Sequence, residues 1–193
     1  MNLLRFLLII FVFVFPMNSF CFSISKPVVF YDKSDYSILV MFFVEDIPTE
    51  ELIRIVKKNL DVTLFVDVKL VRSDFGILNI QTEITNMRLY YKLTYDFVTD
   101  RYIVFNDYFF KTSESLDKIV DSLFYPLLVK FNLSELRGNP DFYEIYEDTV
   151  FFVASKAKIV YVNIKPPLNI VASLLGIRNY ETDVSFSDGF KIK

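Results

Sequence analysis

The residues able to do chemistry in this chain are few, and their types already narrow the reactions open to it. There is no histidine, and the only cysteine is Cys21. That removes Ser-His-Asp and Cys-His catalysis and the common zinc ligand sets. The four glycines, Gly76, Gly138, Gly176 and Gly189, are too far apart to form a phosphate-cradling loop. Carboxylates, hydroxyls and lysines remain. Ser115 and Lys118 have the S-x-x-K spacing of penicillin-recognising enzymes, but the companion S-D-N and K-T-G motifs are absent. Helix solubility accounts for Lys118 equally well. Asp141, Glu144, Glu147 and Asp148 offer oxygen ligands of the kind calcium takes, without the glycine and spacing of a known calcium loop. A solvated acidic loop explains them more simply. Paired carboxylates for glycoside hydrolysis need not be neighbours in sequence, and nothing in the chain points to such a pair.

The stretch "YKLTYDFVTDRYIVF", residues 91–105, places Asp96, Asp100 and Arg101 close together. They form either a charge cluster for a partner or the two flanks of a turn, with Arg101 paired to one carboxylate across it. Alternation decides for the turn. Tyr91, Leu93 and Tyr95 point one way and Lys92, Thr94 and Asp96 the other, so this is a hairpin whose aromatic side faces a core. No catalytic, cofactor-binding or metal-binding residue is assigned, and no cofactor is expected.

The surrounding elements follow from periodicity. "SILVMFFV", 37–44, is an apolar run of strand length. "DIPTEELIRIVKKNL", 46–60, switches to helical period, with Pro48 in the first turn and Leu52, Ile55, Val56 and Leu60 on one face. "VTLFVDVKLVR", 62–72, is a half-buried strand with Val62, Leu64, Val66, Val68 and Leu70 inward, and "SDFG", 73–76, is a turn. Strands continue from Ile77 to Phe105, with a bend or break expected near Asn86 and a two-residue turn at Asn106-Asp107. Residues 112–126 read as a second helix, capped by Thr112 or Ser113, with Leu116, Ile119, Val120, Leu123 and Phe124 as its stripe and Pro126 at its end. Residues 127–148 read as irregular. "TVFFVASKAKIVYVNI", 149–164, is the longest strand candidate, and "LNIVASLL" and "ETDVSFSDGF" are expected to close the sheet. These elements give an α+β fold: an antiparallel β-sheet, in one version a two-layer sandwich, with two covering helices.

The N-terminus is a different material. Arg5 precedes an apolar run from Phe6 to Phe15, Pro16 ends it, and small residues follow. That is the order of a secretory signal peptide. Cleavage is expected after Cys21 or after Ser23, and the run is short for a membrane span of about 20 residues. An uncleaved anchor is the alternative. A lipidated Cys21 is disfavoured by Phe20 before it. The organisation is therefore a signal peptide over 1–23, an extended lead-in over 24–36 and a single domain over 37–193. The processed chain has no cysteine, so an exported domain must be held by its core alone. With 53% hydrophobic and 18% aromatic residues that core is available, and a net charge of −3 without a basic patch argues against nucleic acid.

The hairpin "YKLTYDFVTDRYIVF" followed by "SESLDKIVDSL" resembles the DUF4390 family of uncharacterised bacterial exported proteins. "VTLFVDVKLVR" and the ending "PPLNIVASLLGIRNYETDVSFSDGF" are similar to that family in order and spacing, so the resemblance spans roughly residues 37–190. The chain departs from the family in having no tryptophan. The resemblance implies export and a shared fold, and supplies no catalytic residue. The expected function is a non-catalytic cell-envelope protein of the periplasm, a protein-binding or scaffold module whose partner is another envelope protein. The alternatives are a carrier of a lipid or apolar small molecule, given 22 Phe, and a carboxylate- or Ser/Lys-dependent hydrolase.

Overall fold

The computed structural model describes residues 22–73, 81–124, 126–138, 149–161 and 179–192. Within them the chain is mostly antiparallel β-sheet with two α-helices. The strands are β1 (Ser23–Ile24), β2 (Val28–Asp32), β3 (Ser37–Phe42), β4 (Val44–Glu45), β5 (Val62–Ser73), β6 (Gln81–Asp96), β7 (Arg101–Phe105), β8 (Phe110–Ser113), β9 (Leu127–Asn132), β10 (Val150–Val160), β11 (Tyr180–Glu181) and β12 (Ser185–Phe186). The helices are α1 (Thr49–Val56) and α2 (Leu116–Phe124). The antiparallel sheet and both helices agree with the sequence. The balance lies closer to mostly-β than to α+β, because residues 28–32 and 127–132, read as lead-in and irregular chain, form strands.

The larger sheet has the order β11-β10-β5-β6-β7-β8, with β12 also on β10. Its inner face carries the alternating residues that the sequence singled out in β5, Val62 to Leu70, all buried. Opposite them lie Leu93 and Tyr91 of β6 and Val153, Ala157 and Ile159 of β10. Between Leu70 and Val71 the register of β6 slips, so that Leu70 faces Thr85 and Val71 faces Glu83. Ile84 is the extra residue. The bulge turns it into the core and leaves Glu83 outward, bonded to Lys69 at 2.6 Å. Asn86, expected at a break, instead sits inside the continuous strand β6.

The free edge of β10 is covered by residues 180–190, which cross it with two similar irregularities. Thr182 N–H donates to Ala157 O and its hydroxyl oxygen accepts the Ala157 N–H; Ser187 does the same with Val153. Each hydroxyl thus takes the place of a ladder carbonyl where the strand bulges. Gly189 lets the chain lie on Val150 and Phe152, where a Cβ would come within 2.7 Å of Val150 Cγ1.

The second sheet has the order β2-β3-β9. Ile38, Val40 and Phe42 of β3 and Leu127, Val129 and Phe131 of β9 are buried on its inner face, in one hydrophobic cluster with the inner face of the larger sheet. α1 adds Leu52, Ile55 and Val56, as its period predicts, and α2 adds Leu116 and Ile119. Tyr180 hydroxyl donates to Glu51, tying α1 to the β10 edge. Ser113 Oγ accepts the Ser115 N–H at 3.1 Å in a turn ahead of α2; because the helix begins at Leu116, the N-cap position falls at Ser115 and not at Thr112 or Ser113, where the sequence puts it. Four residues, 106–109, connect β7 to β8, closed by an Asn106 N–H to Phe109 O bond and an Asn106 side chain that accepts the Tyr108 N–H; the two-residue turn is not formed. The side chains of Leu123 and Phe124, most of the 73–76 turn and the "LNIVASLL" segment lie outside the described residues.

Candidate functional site

The hairpin was the first place where the sequence offered charged groups together, and the geometry uses each of them locally. Asp96 accepts the Thr99 hydroxyl at 2.7 Å and the Val98 N–H at 2.9 Å. The Thr99 hydrogen bond, then the Val98 amide, holds its carboxyl below the usual carboxylate range. Asp100 adopts φ 55 and accepts the Tyr95 hydroxyl. Arg101 pairs with Glu114, 3.5 Å away beyond β8, and not with either turn carboxylate as the sequence reading had it. Tyr95 itself is buried, packed on Tyr102 and Phe97 at centroid distances of 5.0 and 4.9 Å. The Lys57 ammonium lies 5.3 Å from the centre of its ring.

The other candidates separate. Ser115 is committed by its backbone to the start of α2, and Lys118 is exposed on that helix. Asp141, Glu144, Glu147 and Asp148 lie outside the described residues. Among the described residues no group of three or more Asp, Glu, His or Cys side chains is placed to hold a metal ion. An apolar cavity lined by Leu52, Leu64, Tyr91, Leu93 and Leu116 among others measures about 30 Å³. That is room for about one water and none for an acyl chain.

The two larger sheets differ sharply in what they show to solvent; β1 and β4 form a separate two-stranded pair. On the outer face of the larger sheet the charges are matched between adjacent strands. Asp67 takes Arg88 in a two-pronged contact at 2.5 and 2.9 Å, Lys69 takes Glu83, and Lys156 takes Glu181 at 2.6 Å. They surround a shallow depression floored by Val71 and Ala154 and flanked by Val184 and Phe186.

The outer face of β2-β3-β9 is apolar. Strand alternation puts Val28 and Phe30 of β2, Leu39 and Met41 of β3 and Leu128 of β9 on it together. The register sets Val28 beside Met41, Phe30 beside Leu39 and Met41 beside Leu128. Phe30 is 50% exposed, Leu128 56%, Val28 44% and Leu39 36%. Single exposed apolar residues are ordinary, but a contiguous group on one sheet face marks a contact surface. A charge shares the face: Lys130 of β9 stands directly opposite Leu39. Lys130 pairs there with Asp35, and Asp32 caps the turn after β2 by accepting the Ser34 hydroxyl and the Ser34 and Asp35 amides at 2.6, 2.9 and 3.3 Å. Those bonds, the Ser34 hydroxyl first, lower the Asp32 pKa. β2 is also an edge: it pairs with β3 on one side and with nothing on the other among the described residues.

Sequence reasoning passed over this surface. In "VVFYD" both alternate positions are apolar, so the parity that separates core from solvent in β5 is missing. In β9 the signal was present: Leu127, Val129 and Phe131 alternate with Leu128, Lys130 and Asn132. Compared with known proteins, the chain matches no family model, no curated protein and no solved structure.

Proposed function

We propose that the protein is a non-catalytic cell-envelope module that binds another protein, and that the outer face of β2-β3-β9 is its contact surface. One observation carries this reading: four exposed apolar side chains, Val28, Phe30, Leu39 and Leu128, with the half-buried Met41 between them, lie together on three adjacent strands beside an open strand edge. Export through the N-terminal segment, residence in the periplasm and kinship with the DUF4390 proteins belong to the same proposal. They rest on the residue order of 1–23 and on the hairpin and helix motifs. No helix among the described residues is long and apolar enough to cross a membrane. We further propose that the two sheets are the layers of a sandwich, a reading supported by the single cluster that joins Val40 and Phe131 to Val66 and Val153.

The test is a double variant, Phe30→Glu with Leu39→Glu, made in the native host. Both side chains are solvent-exposed, so the melting temperature is expected to stay close to wild type while the protein loses its higher-mass complex on native gels. A variant that keeps its complex at full stability removes this surface from the function.

A further inference from the structure

The open edge of β2 carries information about what it pairs with. In an antiparallel ladder, hydrogen-bonded and non-hydrogen-bonded residue pairs alternate. The Leu133 N–H bonds to Tyr36 O at 3.1 Å, in register with the β3–β9 ladder. Tyr36/Leu133 is therefore a bonded pair, and so are Ile38/Phe131 and Val40/Val129. The intervening residues Ser37, Leu39 and Met41 then bond toward β2, where their partners are Asp32, Phe30 and Val28. What remains on the outer side of β2 is the N–H and C=O of Val29 and Tyr31, placed symmetrically about Phe30. Within Val28–Asp32 there is no proline, glycine, lysine or bulge, and the one charge, Asp32, stands at the end of the strand. The edge of β10, by contrast, is covered and bulged.

We propose that this edge takes a second copy of the same chain, the two β2 strands pairing antiparallel about a two-fold axis at Phe30. The inference rests on the protein-binding reading of this surface and names the partner. In this register each Val29 exchanges both backbone hydrogen bonds with Tyr31 of the second copy, so every outward donor and acceptor of the strand is used. The two Phe30 side chains meet across the axis as a non-hydrogen-bonded pair, with Cβ atoms about 4.5–5.5 Å apart. Val28 faces Asp32, and Lys26, which holds Asp188 at 2.6 Å within its own chain, lies diagonal to Asp32 of the other copy. The neighbouring registers are worse. Centred on Val29, the pairing asks Pro27 for an N–H it does not have. Centred on Tyr31, it pairs Val29 with Lys33, which lies in the turn beyond the end of the strand. The contact is isologous, so it closes at two copies and does not propagate into a fibre. It also joins the two apolar outer faces into one continuous surface.

The experiment is sedimentation equilibrium and cysteine pairing on the purified full chain in a Cys21→Ser background. Wild type is expected to sediment as a dimer at micromolar concentration. Val29→Pro is expected to be monomeric and still folded, because the lost N–H faces outward, where an edge strand tolerates proline, with a melting temperature lowered only by the lost packing of the half-buried Val29 side chain. Under mild oxidation Phe30→Cys is expected to give a disulfide-linked dimer, Val28→Cys alone to give none, and Val28→Cys with Asp32→Cys to restore it. A monomeric wild type overturns the proposal, as does a Val28→Cys chain that crosslinks as well as Phe30→Cys. If wild type is monomeric and Phe30→Glu/Leu39→Glu still loses its native complex, the self-pairing fails while the protein-binding reading stands. If that double variant also keeps its complex, both fail.

Discussion

Tyr95 does two separable jobs in the hairpin, one through its ring and one through its hydroxyl. The ring is buried between Tyr102, Phe97 and the Lys57 ammonium, and the hydroxyl donates to Asp100. Tyr95→Ala is expected to cost about 3–5 kcal/mol of stability, in the range for a truncated core aromatic. Tyr95→Phe removes only the hydrogen bond and is expected to cost about 0.5–1.5 kcal/mol. Urea denaturation of both variants checks the separation, and equal losses would contradict it. Asp100 has more at stake than a surface turn residue, because it accepts that bond at φ 55. Alanine there loses the bond and still holds a Cβ in the left-handed region, at a cost of about 1–2 kcal/mol, whereas glycine loses the bond but is free of that strain. Asp100→Gly is therefore expected to be more stable than Asp100→Ala by roughly that strain. The sequence shows the turn and the inward direction of Tyr91, Leu93 and Tyr95. It does not show that Arg101 passes over both nearby carboxylates for Glu114, because that choice depends on where β8 ends.

At the scale of elements, the C-terminal edge makes the sharpest prediction. The hydroxyls of Thr182 and Ser187 accept the Ala157 and Val153 amides at 3.0 and 2.9 Å in buried surroundings. Thr182→Val and Ser187→Ala each leave a buried N–H without its acceptor and are expected to cost about 1–3 kcal/mol, while Thr182→Ser stays near wild type. Thermal unfolding of the variants measures this, and a Thr182→Val chain as stable as Thr182→Ser would argue against it. The same elements show why some of the fold is legible in the sequence and some is not. β5 and α1 are readable because one face is apolar and the other polar, so period alone gives element and orientation. β2 is not, because "VVFYD" is apolar on both parities, and which of them faces the core is decided by the pairing of its neighbour β3 with β9, a strand far along the chain. β9 was obscured by the breakers that follow it at 138–140. The bulge at Ile84 left no mark that separates it from the expected break at Asn86, because a bulge is fixed by the partner strand's register.

For the whole molecule, the charge pairs on the outer sheet face set a pH dependence. Glu83, bonded to Lys69 and Asn86, and Glu181, bonded to Lys156, both have carboxyl pKa values lowered on folding, as does Asp96. A lowered folded-state pKa means the unfolded chain binds protons first as pH falls. The stabilisation is thus present above the ordinary carboxylate range and is lost as pH drops through about 4 toward the lowered values. The melting temperature is expected to fall between pH 5 and pH 3 by roughly the sum of small exposed contributions; a flat profile would contradict the pairing. Processing makes a second molecule-wide prediction. Phe22 is buried in the core and Ser23 pairs with Glu45, so cleavage after Cys21 keeps contacts that cleavage after Ser23 would discard. Under the export proposal, N-terminal sequencing of the protein from its native host is expected to read Phe22 first, and a chain beginning at Ile24 is expected to melt lower. The central claim is that the outer face of β2-β3-β9 is where this protein meets another. A photo-crosslinking amino acid placed at Leu39, with the same probe at Lys92 on the larger sheet as control, tests it in intact cells. The account predicts a discrete crosslinked protein from Leu39 and none from Lys92; adducts from Lys92 with none from Leu39 would contradict it.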